Sequence, residues 1–265
     1  MTPAGAPARP RGGSAAGTRL QATSAMADGG ASGPRTAVVL AGGLGTRLAP
    51  VVGPRPKVLA QVLGRPFLAF LLDRLAASGI ARVVLCTGYG GGQVRAYFGD
   101  RHGALALAYS REAAPLGTAG ALRLALPLLD EDPVLALNGD SYCDADLAAV
   151  WAAHHASGAA ATLVLAEVSD AARYGSVATD GDGRVVGFAE KTASGPGWVS
   201  AGIYVLARRV LEEIPRGRPV SLEREVLPRW IGRGLRAERS DGTFIDIGTP
   251  RAYAAADAVL GSLLA

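Results

Sequence analysis

The order of apolar strands and amphipathic helices constrains this chain more than any other feature of it. "TAVVLA" (36–41), "ARVVLCTG" (81–88), "LALAYS" (105–110), "PVLALNGD" (133–140) and "ATLVLAEV" (161–168) read as strands. Between them "PFLAFLLDRLAASG", "QVRAYFGD", "TAGALRLALPLL" and "DLAAVWAAHHASG" read as helices, with Pro66 suited to a first turn and Gly79 to a C-terminal cap. Near-continuous apolar strands joined through helices predict an α/β fold, a three-layer, mostly parallel sheet with helices on both faces. The second half changes style. "YGSVATDGDGRVVGFAEK" reads as a hairpin turned on Asp180 to Gly183, followed by the strand "VSAGIYVL" and a helix from Leu206. A capped helix "SLEREVLPRWIG", a strand ending in "TFIDIG" and a last helix from "TPRAYAAADAVL" complete the chain.

Size and charge limit the function classes. At 265 residues the chain is long enough for one large domain with a sizeable core. Residues 1–35 are rich in Ala, Gly, Pro, Ser and Thr without hydrophobic period, and are expected to be a disordered tail ahead of one domain over 36–265. That tail holds Arg9, Arg11, Arg19 and Arg35 against Asp28 alone, so it carries three of the four net positive charges. The remainder is nearly neutral, which gives no basic face for nucleic acid. No apolar run is long enough to span a membrane. Cys86 and Cys143 are too few for a disulfide framework or metal cluster and read as buried thiols, which fits a cytoplasmic location. His154 and His155 are placed on a polar helix face, solvated, and no Ser-His-Asp or Cys-His set is visible.

In open parallel sheets ligands bind beyond the carboxyl ends of the strands. The first strand ends in Gly42-Gly43-Leu44-Gly45 and is followed by Arg47, Arg55, Lys57 and Arg65. No acid occurs from Thr36 to Leu72. Glycines let backbone amides converge on an anion, and the cations supply charge, so a polyphosphate is expected there. The loop is neither a P-loop nor the dinucleotide fingerprint, since Leu48 stands where a third glycine belongs. A carboxylate beside Arg47 and Lys57 would occupy the cations meant for the phosphates. Asn138-Gly139-Asp140 and Asp246 place acids at two further strand tips, where they could meet and hold one Mg²⁺. Glu190 and Lys191 are adjacent in a strand and so face opposite sides, free for separate ligand groups. "PLGTAGAL" offers helix-entry amides, with Thr118 equally suited to capping.

Together, "LAGGLGTRL" with Pro56-Lys57, "PLGTAGAL", "NGD", Glu190-Lys191, "SAGIYVL" and "DIGTP" resemble the sugar-1-phosphate nucleotidylyltransferase family, over residues 37 to about 255. "LNGDSYCD" and "RPVSLEREVLP" resemble most the short bacterial guanylyltransferases acting on D-glycero-D-manno-heptose 1-phosphate. The resemblance implies a Rossmann-like nucleotide-diphospho-sugar transferase fold, with a nucleoside triphosphate and a sugar 1-phosphate as partners and Mg²⁺ as cofactor. It implies that Leu40, Ala41, Gly42, Gly43, Gly45, Thr46, Gly117 and Thr118 contact the nucleotide. Arg47 and Lys57 would hold its phosphates, and Asp140 and Asp246 the metal. Gly139, Glu190, Ser200 and Gly202 would face the sugar, and Lys191 its phosphate. The chemistry implied is in-line attack by a sugar-phosphate oxygen on the α-phosphorus, with pyrophosphate leaving. A mannose 1-phosphate or a uridylyl, cytidylyl or adenylyl variant keeps the same fold, as does a non-catalytic regulatory relative; a homo-oligomer is compatible with all of them. Two departures from the family pattern are Ser200, where many members have Asn, and Thr192 in place of the commoner proline.

Overall fold

The computed structural model describes Met1 and residues 33–189 and 195–264. The chain divides into Met1–Gly30 and Ala31–Ala265, and the architecture below is that of the second unit. The expected tail lies outside the described residues up to position 32; Pro34 is buried, and the Arg35 amide donates to the Glu131 carboxylate.

In chain order, β1 (Thr36–Leu40) runs into the glycine loop and a single turn, α1 (Ala49–Val52). A small ribbon, β2 (Gln61–Val62) and β3 (Arg65–Pro66), leads into α2 (Phe67–Ala77). Next come β4 (Arg82–Thr87), α3 (Gly91–Phe98), β5 (Arg101–His102), β6 (Leu105–Arg111) and α4 (Gly117–Ala125). They are followed by β7 (Val134–Asn138), β8 (Ser141–Cys143), α5 (Leu147–Ser157) and β9 (Ala161–Val168). The hairpin β10 (Val177–Thr179) and β11 (Val185–Phe188) precedes β12 (Gly197–Leu206), α6 (Arg208–Glu212) and β13 (Leu235–Ser240). The chain closes with β14 (Phe244–Asp246) and α7 (Pro250–Leu264).

The main sheet has the order β13-β9-β12-β7-β1-β4-β6-β5. Its pairs are parallel except at β12, which runs antiparallel to β7 and β9, and at the β5 edge. Alternate residues of each strand feed opposite faces. Val38, Val84 and Ala136 pack with Leu122 of α4 and Val210 of α6. Val39, Leu85 and Leu135 pack with Leu68 of α2, Val94 of α3 and Val150 of α5. Helices therefore cover both faces, as the strand pattern requires; a fully buried leucine in such a layer contributes about 1.5–3 kcal/mol.

Four local expectations are corrected. The segment expected as one helix from Ser221 is a π turn, Leu222–Val226, followed by a 3₁₀ turn, Leu227–Trp230. Pro228 has no N–H for an α-helical ladder, and Val226 donates instead to the Ser221 carbonyl five residues back. Second, β13 was not expected. It is an edge strand in which only Leu235 and Ala237 are buried among charged neighbours. Third, the strand ending in Asp246 lies outside the main sheet, paired antiparallel with β8. Fourth, His154 is buried rather than solvated, with Nδ1 against the Thr162 hydroxyl at 2.9 Å, because α5 turns that residue onto β9.

Burial lowers the His154 pKa from 6.5 to about 4, with the charges of His155 and Arg209 acting the same way and Asp132 opposing them. The unfolded chain takes up this proton first. Stability is therefore full above pH ~6.5 and falls as the pH drops towards ~4, by at most about 3 kcal/mol. Urea denaturation between these pH values should show that loss, and His154→Asn should remove most of the slope. An unchanged slope in the variant would contradict the assignment.

Candidate functional site

Three segments meet where β1 and β7 end. The first is the glycine loop. Leu48 is fully buried, and it and Ala49 donate to the Gly45 carbonyl at 2.9 Å, which curls the loop into α1. Leu48 therefore anchors the loop at the position where the dinucleotide fingerprint would need glycine. Gly45 has φ +60°, and a Cβ there would lie 3.2 Å from the Lys57 Cβ, so glycine lets the loop close over the lysine stem.

The second segment carries Lys57, at the start of a 3₁₀ turn (Lys57–Leu59) behind Pro56. Its ammonium lies 2.5 Å from Asp140 Oδ2 and 3.9 Å from Asp246 Oδ1. The loop itself has no acid, but the fold brings two from distant strands. Of the other cations, only Arg47 lines the same cavity. Arg65 pairs with Asp73 at 2.6 Å and lies over the Phe70 ring, and Arg55 is exposed and not among the lining residues.

The third segment is the β8–β14 ribbon, which explains how the acids meet. Asp246 pairs in register with Ser141, next to Asp140, and the Ile247 amide donates to the Asp140 carbonyl. Gly139 donates to the Leu40 carbonyl at 2.8 Å, and a Cβ on it would approach that oxygen to 2.7 Å; only glycine allows β7 to turn so close to β1. Burial raises the Asp246 pKa, and the Asp140 charge adds to this, against the pull of Lys57, the Gly248 amide and Arg173. Two carboxylates opening on one cavity suit a hard cation that keeps waters and takes its remaining ligands from phosphate oxygens. No group of three or more His, Cys, Asp or Glu residues suited to a metal occurs among the described residues, so the donor set does not resemble a closed structural site.

A central cavity of about 670 Å³ is lined by Gly43, Gly45, Thr46, Arg47, Lys57, Asp140, Ser200, Gly202 and Asp246, along with others. It adjoins three further cavities. One, of about 240 Å³, holds Leu40, Gly42, Gly43, Gly117 and Thr118. Glu112 also lines it and was missed in the sequence. It directly follows β6, at the same carboxyl edge of the sheet that singled out Gly42 and Asn138. Its Oε2 accepts from the Leu116 amide at 3.0 Å. Its Oε1 sits over Gly42 and Gly88, where a Cβ would come within 2.6 and 2.4 Å. Burial pushes its pKa up, opposed by the Leu116 amide. A second cavity, of about 700 Å³, is reached past Ser200, Tyr174 and Arg224. A third, of about 840 Å³, is reached past Arg47 and Asp246.

One polar network spans the first two. The Ser200 hydroxyl donates to Tyr204, and Tyr204 donates to Glu223 Oε1 at 3.0 Å. The Thr118 hydroxyl donates to Glu223 Oε2 at 2.9 Å and accepts from the Leu222 amide at 2.7 Å. Thr118 is thus committed to the π turn and is not a helix cap. Gly202, at φ +76° beside the bulge in β12, would put a Cβ 2.6 Å from Ser141 Oγ, so glycine lets β12 close against β8. Ala41 is buried and donates to the Cys86 carbonyl. Glu190 and Lys191 lie outside the described residues.

Known proteins are similar to this chain in sequence and architecture. A family model described as nucleotidyl transferase matches residues 36–261. Mannose-1-phosphate guanylyltransferase of Mycobacterium tuberculosis is 40% identical over 232 residues, which are 85% of this chain but 65% of that protein, just under two thirds of its length. D-glycero-alpha-D-manno-heptose 1-phosphate guanylyltransferase of Aneurinibacillus thermoaerophilus is 35% identical over 82% of this chain and 94% of that one. Among solved structures, HddC from Yersinia pseudotuberculosis superposes with a TM-score of 0.77 at 31% identity, covering 85% and 99% of the two chains; it was also solved complexed with GMP-PN.

Gly117 has φ +68°, and a Cβ there would lie 2.5 Å from the Val220 carbonyl oxygen. Gly117→Ala should therefore cost about 2–4 kcal/mol in urea denaturation, from left-handed strain and a backbone clash. A loss below about 0.5 kcal/mol would contradict the packing described.

Proposed function

The chain belongs to the nucleotidyl transferase family, and from that premise we propose that it transfers GMP from GTP to a sugar 1-phosphate of manno configuration, releasing pyrophosphate. The observation that carries this reading is the meeting of Lys57, Asp140 and Asp246 in a cavity flanked by the glycine loop and Glu112. The nucleophile, a phosphate oxygen, is already an anion, so the site needs no general base. Gly42, Gly43, Gly45 and Thr46 present backbone to the phosphates, and Arg47 and Lys57 neutralise them. Asp140 and Asp246 are the residues that would hold Mg²⁺, which, bound there, supplies further charge neutralisation at the phosphoryl group. Ser200, Gly202 and Gly139 border the sugar side, with Glu190 meeting sugar hydroxyls and Lys191 the sugar phosphate.

Glu112 supports guanine as the base. Guanine presents two adjacent N–H donors on its pairing edge, and a carboxylate accepts both. Uracil, thymine and adenine do not offer that pair. The relatives named as guanylyltransferases agree with this choice. For the sugar, the heptose 1-phosphate reading is favoured by relatives whose full length the chain nearly spans, at 94% and 96%. Mannose 1-phosphate is favoured by the 40% identity of the Mycobacterium protein. A reducing cytoplasm belongs to the same proposal and accords with two buried, unpaired cysteines. No helix among the described residues is long and apolar enough to cross a membrane.

Pyrophosphate release, measured for four nucleoside triphosphates against mannose, heptose and glucose 1-phosphates, should be fastest with GTP and a manno sugar. No turnover with any pair would overturn the catalytic reading in favour of a regulatory one. Asp140→Ala should lower Mg²⁺-dependent release by at least about 100-fold while the protein stays folded by circular dichroism. Full activity in that variant would remove Asp140 from the metal site. Glu112→Gln should lower kcat/KM for GTP by about 10–100-fold and affect ATP and UTP far less, because the amide turns a donor towards guanine. Equal losses for all bases would contradict the assignment.

A further inference from the structure

The central cavity opens in three directions, and two of them are accounted for by base and sugar. The third is the cavity of about 840 Å³ beyond Arg47, and its wall carries three arginines from separate elements. Arg47 comes from the glycine loop, Arg173 from the 3₁₀ turn Ala171–Arg173, and Arg251 from the first turn of α7. Neither Arg47 nor Arg251 forms a salt bridge among the described residues. Arg173 approaches a carboxylate at 3.9 Å, that of Asp246, which Lys57 also approaches, and its guanidinium lies over the Tyr174 ring. Arg251 also stands at the end of a 15-residue helix where a cation is disfavoured, with no acid in that turn to relieve it. Asp170 is the other acid lining this cavity, and its Oδ1 is engaged by the Ala172 amide. The wall is thus short of negative charge beside the reacting centre.

Resting on the nucleotidyl-transfer reading, we propose that Arg173 and Arg251, together with Arg47, form the dock for the pyrophosphate leaving group. In-line displacement requires the entering and leaving oxygens to lie on opposite sides of the α-phosphorus. The sugar-side cavity meets the centre past Ser200 and Arg224 and the arginine cavity past Arg47 and Asp246, with Tyr174 lining both between them. As the sugar-phosphate oxygen bonds to the α-phosphorus, the bond from that phosphorus to the oxygen bridging to the β-phosphate breaks. That oxygen keeps the electron pair. The charge that develops on pyrophosphate then faces three guanidinium groups.

The reverse reaction isolates this step, because pyrophosphate is then a substrate. Wild-type protein is assayed with a GDP-sugar and pyrophosphate, alongside Arg251→Ala, Arg251→Glu, Arg251→Lys and Arg173→Ala. The alanine variants should raise KM for pyrophosphate about 10-fold each, and Arg251→Glu more, with KM for the GDP-sugar unchanged. Arg251→Lys, which keeps the charge, should restore most of the affinity. Pyrophosphate KM values within twofold of wild type in variants that turn over would overturn the dock and leave the nucleotidyl-transfer reading standing. Equal rises in both KM values would also overturn it, as a general structural effect. A wild-type protein inert in both directions would overturn the two together.

Discussion

The ammonium of Lys57 between Asp140 and Asp246 is the interaction on which the site depends. Each of the three comes from a different segment, and each is held by a separate device. Pro56 and the 3₁₀ turn present the lysine. Gly139, pressed against the Leu40 carbonyl, turns Asp140 out of β7. The β8–β14 ribbon carries Asp246 to it. Ile245 and Ile247, on either side of Asp246, are buried in a third apolar cluster with Leu48, Phe67 and Leu260, so apolar burial outside the main sheet sets where the second acid stands. Burial first, and the like charge of Asp140 after it, raise the Asp246 pKa, so holding both acids ionised here is unfavourable alone. The lysine offsets it in the free protein.

Around this centre, small residues act as openings. Gly42 and Gly88 leave room for the Glu112 carboxyl, Gly202 lets β12 close against β8, and Gly45 clears the stem of Lys57. The chambers so formed are tied together by the Ser200, Tyr204, Glu223 and Thr118 chain of hydrogen bonds, which joins the cavity beside Ser200 to the one beside Thr118 through one buried tyrosine. Burial and the neighbouring Glu223 charge keep that tyrosine protonated, so it serves as a fixed donor.

Much of the fold was legible because buried parallel strands are apolar throughout and stand apart from helices. The strand-tip acids were legible as candidates because open parallel sheets bind ligands beyond the carboxyl ends of their strands. What escaped did so for physical reasons. β13 alternates charge with small apolar residues, as an edge strand can, and offers no apolar run. His154 lies among alanines, which give α5 almost no polar face to distinguish from a buried one. Glu112 was visible only by applying the strand-end rule to β6 as well. The pairing of Lys57 with Asp140 is a contact between distant segments that no local pattern encodes, and the roles read for Glu190 and Lys191 fall outside the described residues.

Lys57 engages both acids as charges, and the glycine loop supplies amides and cations. On this account neither carboxylate attacks phosphorus, and the nucleotidyl group passes directly from triphosphate to sugar phosphate. The stereochemistry at the α-phosphorus tests this most directly. With GTP carrying sulfur at one defined α-position, the nucleotide-sugar product should show inverted configuration, as one in-line displacement requires. Retention would mean two displacements through a covalent nucleotidyl-protein, and would contradict the roles assigned to Asp140 and Asp246.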